Sequence, residues 1–297
     1  MDTTKKIGII AAIIIVASLS IYGVSGESKY NNANRRTSQY IPKAVDFAGE
    51  STPLNIADVR ERFERELLVN ANLDASTLLI IKRANRVFPI IEPILKNYGV
   101  PDDFKYLAVI ESGLVNAVSP AGARGVWQFM PLTAKERGME VNDFVDERYH
   151  LEKSTEAACK YLLDAKSKFG SWTLAAASYN GGMSGVNKQI DLQQVSNYYD
   201  LLLNDETSRY VFRILALKEI MKAPDKFGFI VTPEELYQNI PTRKLEIDST
   251  INDLASFAKT QGINYKILKI HNPWLRDKKL LNVAKKKYII EIPTEGY

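Results

Sequence analysis

Glu111 ends an apolar run within VIESGLVNAVSPAGARGVWQFMPLT, residues 109 to 133. A carboxylate beside apolar neighbours is a group that can give or take a proton at a reacting bond. In FKYLAVIES, Phe104, Leu107, Ala108 and Glu111 stand at i, i+3, i+4 and i+7, so they share one helix face. Tyr106, Val109 and Ile110 make the remaining faces apolar too, which predicts a buried helix with Glu111 at the edge of a core. Burial disfavours the charged form, so this carboxyl should stay protonated to higher pH and serve as a proton donor. Helix position alone leaves a salt-bridged or helix-end glutamate as the alternative, although the dipole disfavours an acid at a C-terminus. Downstream, Ser119-Pro120-Ala121-Gly122-Ala123-Arg124-Gly125 reads as a compact turn that lets backbone approach a ligand. Gln128 adds amide donors and acceptors, and Met130 with Trp127 or Phe129 adds soft or flat apolar surface. That mixture suits a sugar, with its apolar ring faces and polar rim. The alternative for Trp127, Phe129 and Met130 is a place in the core.

Other chemistries are poorly supplied. Cys159 is the single cysteine and His150 and His271 are the only histidines, so neither a disulfide framework nor a dedicated zinc site is expected. Neither histidine sits in a nucleophile motif. A net charge of +4 on 297 residues is too small to argue for nucleic acid. Arg276, Lys278, Lys279, Lys285, Lys286 and Lys287 cluster near the C-terminus, either as a solvated face or as a contact for an anionic polymer or membrane.

The elements around Glu111 read as helices. The composition, 45% hydrophobic and 25% charged, is that of a globular chain. Apolar residues at helical spacing begin near Ile56, and a helix follows from residue 76 with Pro89 and Pro93 breaking or kinking it. Tyr98-Gly99-Val100-Pro101 is a stop, after which Asp102 or Asp103 is the expected cap of the Glu111 helix. Further helices are predicted over 131–137, 151–169, 172–179 and 207–222. After Pro224 the pattern changes. Residues 245–249 and 287–293 alternate like strands around two short helical stretches, a βααβ module. At the other end Lys5 and Lys6 precede an apolar run over 7–24, which as a helix would span roughly 27 Å, near the thickness of a bilayer core. It reads as an anchor or a cleaved signal, and either exports the chain.

With those residues in place, the chain resembles the lytic transglycosylases of the soluble lytic transglycosylase superfamily, glycoside hydrolase family 23, and most of all their membrane-bound murein branch. Three ordered stretches carry the resemblance: ESGLVNAVSPAGARGVWQFMPLT, ASYNGG at 177 to 182, and DETSRYVFRILALKEI at 205 to 220. The resemblance implies a mainly α, lysozyme-like domain that cleaves the MurNAc-GlcNAc β-1,4 bond of peptidoglycan without water or any cofactor. It implies Glu111 as the single catalytic acid/base, which first protonates the glycosidic oxygen and then takes the C6 hydroxyl proton to close a 1,6-anhydro ring. It further implies Ser119, Gln128, Met130 and Tyr179 as glycan contacts, Asn180 as a residue fixing its turn, and Glu206 across the site. The sequence departs from the pattern at Asn116, Trp127, Phe129 and Ser178, without removing a group the chemistry needs.

The C-terminal βααβ stretch, with Leu254, Ala255, Gly262, Leu268, Asn272 and Pro273, is similar to LysM modules, which bind GlcNAc-containing glycans; a structural cap on the catalytic domain is the alternative. The organisation expected is therefore an anchor or signal at 1–26, a linker at 27–53, a transglycosylase domain at 54–241 with its core at 95–222, and a LysM-like module at 242–297. Partners would be peptidoglycan strands and, through an uncleaved anchor, the inner membrane; the location would be the cell envelope with a periplasmic catalytic domain. Two competing functions stand beside this one. A lysozyme-type hydrolase would need a second carboxylate, for which Asp143, Asp146 and Glu147 are available. A non-catalytic wall-binding scaffold would not need Glu111, Gln128 and Tyr179 together.

Overall fold

A computed structural model describes residues 40–296. The expected anchor or signal at 1–26 and the first part of the linker fall outside the described residues. Among the described residues, no helix is long and apolar enough to cross a membrane.

The rest of the stretch read as a linker is built into the fold. Strands β1 (Asp46–Phe47) and β2 (Glu50–Ser51) form a small antiparallel hairpin. Phe47 is fully buried and packs edge-on against Phe104, with ring centroids 5.0 Å apart. Its buried residues, Pro42, Val45, Phe47 and Thr52, are few and irregularly spaced, so the segment shows no period and reads as a linker.

Eight helices follow: α1 (Ala57–Ala71), α2 (Asp74–Tyr98), α3 (Lys105–Ser112), α4 (Pro131–Glu136), α5 (Leu151–Phe169), α6 (Trp172–Gly181), α7 (Met183–Gln193) and α8 (Asp205–Lys222). Helix α2 continues through Pro89 and Pro93 instead of breaking there. Each proline forfeits one backbone donor, and the buried stripe Thr77, Ile80, Ala84, Val87, Ile91 and Leu95 holds the helix together despite that loss. The expected cap on α3 is also corrected. Asp103 accepts from Ala48 N at 2.7 Å and from the buried Lys218 Nζ at 2.6 Å, while Asp102 pairs with Lys105 at 2.6 Å. Helix α8 is the axis of the domain, with Tyr210, Val211, Phe212, Ile214, Leu215 and Ile220 all buried, and it packs on α1, α3 and α6. Helix α6 runs two residues beyond the predicted end, and α7 is an element the sequence pattern did not reveal.

Residues 224–241 return along α2, where Tyr237 N donates to Lys82 O at 3.1 Å. Then come β3 (Thr242–Ile247), α9 (Leu254–Thr260), α10 (Tyr265–His271) and β4 (Tyr288–Pro293), the expected βααβ order. Strands β3 and β4 pair antiparallel from Thr242↔Pro293 to Ile247↔Tyr288. Leu254, Ala258, Leu268, Leu275, Leu280, Ile290 and Ile292 form the core of this module, and Val145 and Tyr149 from the preceding domain belong to the same cluster.

Candidate active site

Helix α3 is short and apolar, and Gly113, in the left-handed region at φ 59°, ends it one residue after Ser112. Glu111 therefore sits in the last turn, only partly exposed, facing α8. Tyr210 Oη, from the middle of α8, donates a hydrogen bond to Glu111 Oε1. Burial pushes the Glu111 carboxyl up to about 7; the Tyr210 hydrogen bond and the Arg213 charge pull against that rise, and the Glu206 charge adds to it. A carboxyl titrating near neutrality in a partly closed site is poised to act as both acid and base.

Tyr210 was not among the residues singled out from sequence. Its signal was present in the third motif, where it lies at i+4 from Glu206 and so on the same helix face. Arg213, one turn further, also faces Glu111 and donates from Nη2 to Ile110 O at 3.2 Å.

The residues of the second motif meet α8 at its N-terminus. Asn180 Nδ2 donates to Glu206 Oε1 at 2.9 Å, and Asn180 Oδ1 accepts from Thr207 Oγ1 at 2.7 Å. Gly181 packs closely here, since a Cβ there would lie 3.1 Å from the Thr207 side chain. Tyr179 donates from Oη to Trp127 O at 2.8 Å and stands edge-on to Phe129 and Tyr161, at 5.8 and 5.2 Å between centroids. Burial, and then the nearby Glu111 charge, hold its phenol well above the ordinary range, so it acts as a neutral donor.

The loop between α3 and α4 closes the third side. Ser119 Oγ accepts from Ala123 N at 3.0 Å, closing the predicted turn. Gln128 adopts φ 50° and donates from Nε2 to Gly125 O at 2.7 Å and Ala117 O at 3.1 Å. Both bonds use the Nε2 end, so Oε1 is the acceptor a ligand can use. Gly125 cannot carry a side chain, because its Cβ would lie 1.8 Å from Arg148 O. Trp127 and Phe129 belong to the core, with Trp127 Nε1 bonded to Thr155 Oγ1 at 2.8 Å, whereas Met130 is 42% exposed. The fold thus brings Glu111, Tyr179, Asn180, Glu206 and the loop holding Ser119 and Gln128 around one centre.

The three acids considered for a hydrolase are placed otherwise. Asp143 is exposed. Asp146 is buried against Arg148 at 2.7 Å and Arg124 at 3.3 Å. Glu147 is buried against Lys153 at 2.9 Å and Lys286 at 3.3 Å.

Two known families match stretches of this chain. Residues 88–201 match the Transglycosylase SLT domain, and residues 243–296 match the soluble lytic transglycosylase C-terminal LysM-like domain. The chain therefore carries an SLT transglycosylase domain followed by a LysM-like domain, as the motifs led us to expect. Among individual proteins it is similar to membrane-bound lytic murein transglycosylase D of Escherichia coli K12 and of Escherichia coli O6:H1, each 27% identical over 269 residues that cover 86% of this chain. The match covers 58% of the length of those curated relatives.

Proposed function

We propose that the chain is a peptidoglycan lytic transglycosylase of the glycoside hydrolase family 23 type, cutting the MurNAc-GlcNAc β-1,4 bond and leaving a 1,6-anhydro end. The observation that carries this reading is Glu111, raised to about 7 by burial and held by a neutral phenol instead of a matching cation. Protonated Glu111 gives its proton to the glycosidic oxygen as the C1–O bond breaks. The resulting carboxylate then accepts the proton of the C6 hydroxyl as O6 bonds to C1, so the enzyme returns to its starting state and no water is consumed. The substrate's own acetamido group can stabilise the cationic centre, which removes the need for a second enzymic carboxylate. Asp146 and Glu147 are engaged in ion pairs and Glu206 is held by Asn180, an arrangement that favours this route over activation of water. Ser119, Gln128, Met130 and Tyr179 are the proposed glycan contacts, and the LysM-like module is the proposed second grip on the strand.

The name of the relatives includes "membrane-bound" and "murein". With the apolar run at 7–24, this supports a place in the cell envelope, outside the inner membrane. Digestion of purified sacculi followed by product mass measurement tests the reaction. Ends one water lighter than hydrolysed ends are expected; hydrolysed ends alone would replace this reading with a lysozyme-type one. Full digestion by Glu111→Gln would remove Glu111 from its role.

A further inference from the structure

The LysM-like module meets the transglycosylase domain along residues 144–146, which run antiparallel to residues 274–276. Asp146 N donates to Trp274 O at 2.9 Å, Arg276 N donates to Phe144 O at 2.8 Å, and Val145 bridges Leu275. Side chains extend the contact. The Trp274 ring stacks on Tyr288 at 5.6 Å and on His150 at 6.1 Å, and the Arg276 guanidinium lies 4.2 Å from the centre of the Tyr149 ring. Lys286 Nζ reaches Glu140 at 2.6 Å and Glu147 at 3.3 Å, while Tyr288 Oη donates to Glu140 at 3.0 Å.

The anchored segment is also the back wall of the glycan loop. Asp146 holds Arg148 with both carboxylate oxygens, Oδ1 to Nε at 2.8 Å and Oδ2 to Nη2 at 2.7 Å. Arg148 then spends Nη1 on two loop carbonyls, Gly122 O at 3.0 Å and Phe129 O at 3.1 Å, which bracket Gln128. Both side chains are almost wholly buried, and the Arg148 carbonyl occupies the space a Gly125 side chain would take. A planar guanidinium can satisfy a bidentate carboxylate and two carbonyls together, which a single ammonium cannot.

We propose that Arg148 is a positioning residue for the loop that carries Ser119 and Gln128, and that the LysM-like module holds it in place through its two neighbours, Asp146 bonded to Trp274 O and Glu147 paired with Lys286. The module thereby sets the shape of the catalytic cleft, whatever glycan it binds itself. The proposal rests on the transglycosylase reading only for its kinetic assay. The test compares wild type, Arg148→Gln, Arg148→Lys and Lys286→Gln in the full chain. With soluble glycan fragments as substrate, Arg148→Gln is expected to raise KM about tenfold, with kcat changed less than about twofold and the pH profile of kcat unmoved. Arg148→Lys should not restore KM. Hydrogen exchange of amides 122–129 is expected to quicken about tenfold in Lys286→Gln, whose substitution lies in the module, with the buried turns of α5 unaffected. A folded Arg148→Gln with wild-type KM overturns the proposal, and so does a loss of kcat alone in step with the folded fraction. Unchanged exchange in Lys286→Gln overturns the link to the module. Should Arg148→Gln not fold, the exchange measurement on Lys286→Gln decides by itself. Because exchange needs no activity, its outcome stays distinct from that of Glu111→Gln on sacculi.

Discussion

Glu111 and Glu147 are both withdrawn from water, and their surroundings treat them in opposite ways. Burial raises both carboxyls. For Glu147 that rise is more than offset by the Glu140 N–H at 2.7 Å and by Lys153 and Lys286, so its carboxyl ends below the ordinary value. For Glu111 the offsets are a phenol and a more distant guanidinium, and the carboxyl ends at about 7. Burial by itself therefore does not mark a reactive acid. A buried acid given enough cations is a structural joint, here between two domains; one given too few keeps its proton and can donate it.

Substitutions at the two acids should have different effects. The largest effect is expected for Glu111→Gln, which should lower turnover of glycan fragments by about 10²- to 10⁴-fold, whereas Glu147→Gln should leave kcat near wild type. Similar losses in both would erase the distinction. Stability should also respond with opposite sign. The folded-state value of Glu111 lies above its unfolded value, so the native state binds the extra proton and wild-type stability falls as pH rises from about 4.5 to about 7. Chemical denaturation at pH 8 should therefore find Glu111→Gln more stable than wild type by about 3 kcal/mol, and at pH 4 nearly equal to it. Glu147, with its folded value depressed, contributes stability above about pH 4.5 that is lost as pH falls through the folded value. Glu147→Gln should be less stable by roughly 1–2 kcal/mol at pH 7, its partners being half exposed, and the gap should close in acid. Smallest is Tyr210→Phe. It removes a bond that favours the Glu111 carboxylate, so the alkaline limb of the activity profile should move to higher pH while kcat falls about several-fold. A shift to lower pH would mean that the phenol favours the protonated acid.

Much of this was legible along the chain because it is local. The period of Phe104, Leu107, Ala108 and Glu111 announced a buried helix ending in an acid, and Ser119 to Gly125 announced their turn. The βααβ order was legible from alternation and spacing. What failed was either too short or too distant. The hairpin at 46–51 has too few inward residues to show a pattern, yet Glu50 accepts from Trp172 N at 2.6 Å and Thr173 N at 2.9 Å, so it caps the helix that carries Tyr179. Pro89 and Pro93 suggested a break or a kink, and α2 runs on unbroken through both because propensity is a weak prior that a packed stripe overrides.

From the chain alone follow the helices that carry Glu111 and Tyr179, the turn from Ser119 to Gly125, the βααβ order, and an acid on an apolar helix face. Those properties follow from side-chain period and backbone sterics within a few residues. Only the tertiary structure decided that Tyr210, 99 residues away, would be its partner, that Asp146 and Glu147 would be spent on arginine and lysine, and that the last module would share its core with Val145 and Tyr149. A carboxylate's chemistry depends on the groups within a few ångströms of it, and those come from wherever the packed helices bring the chain together.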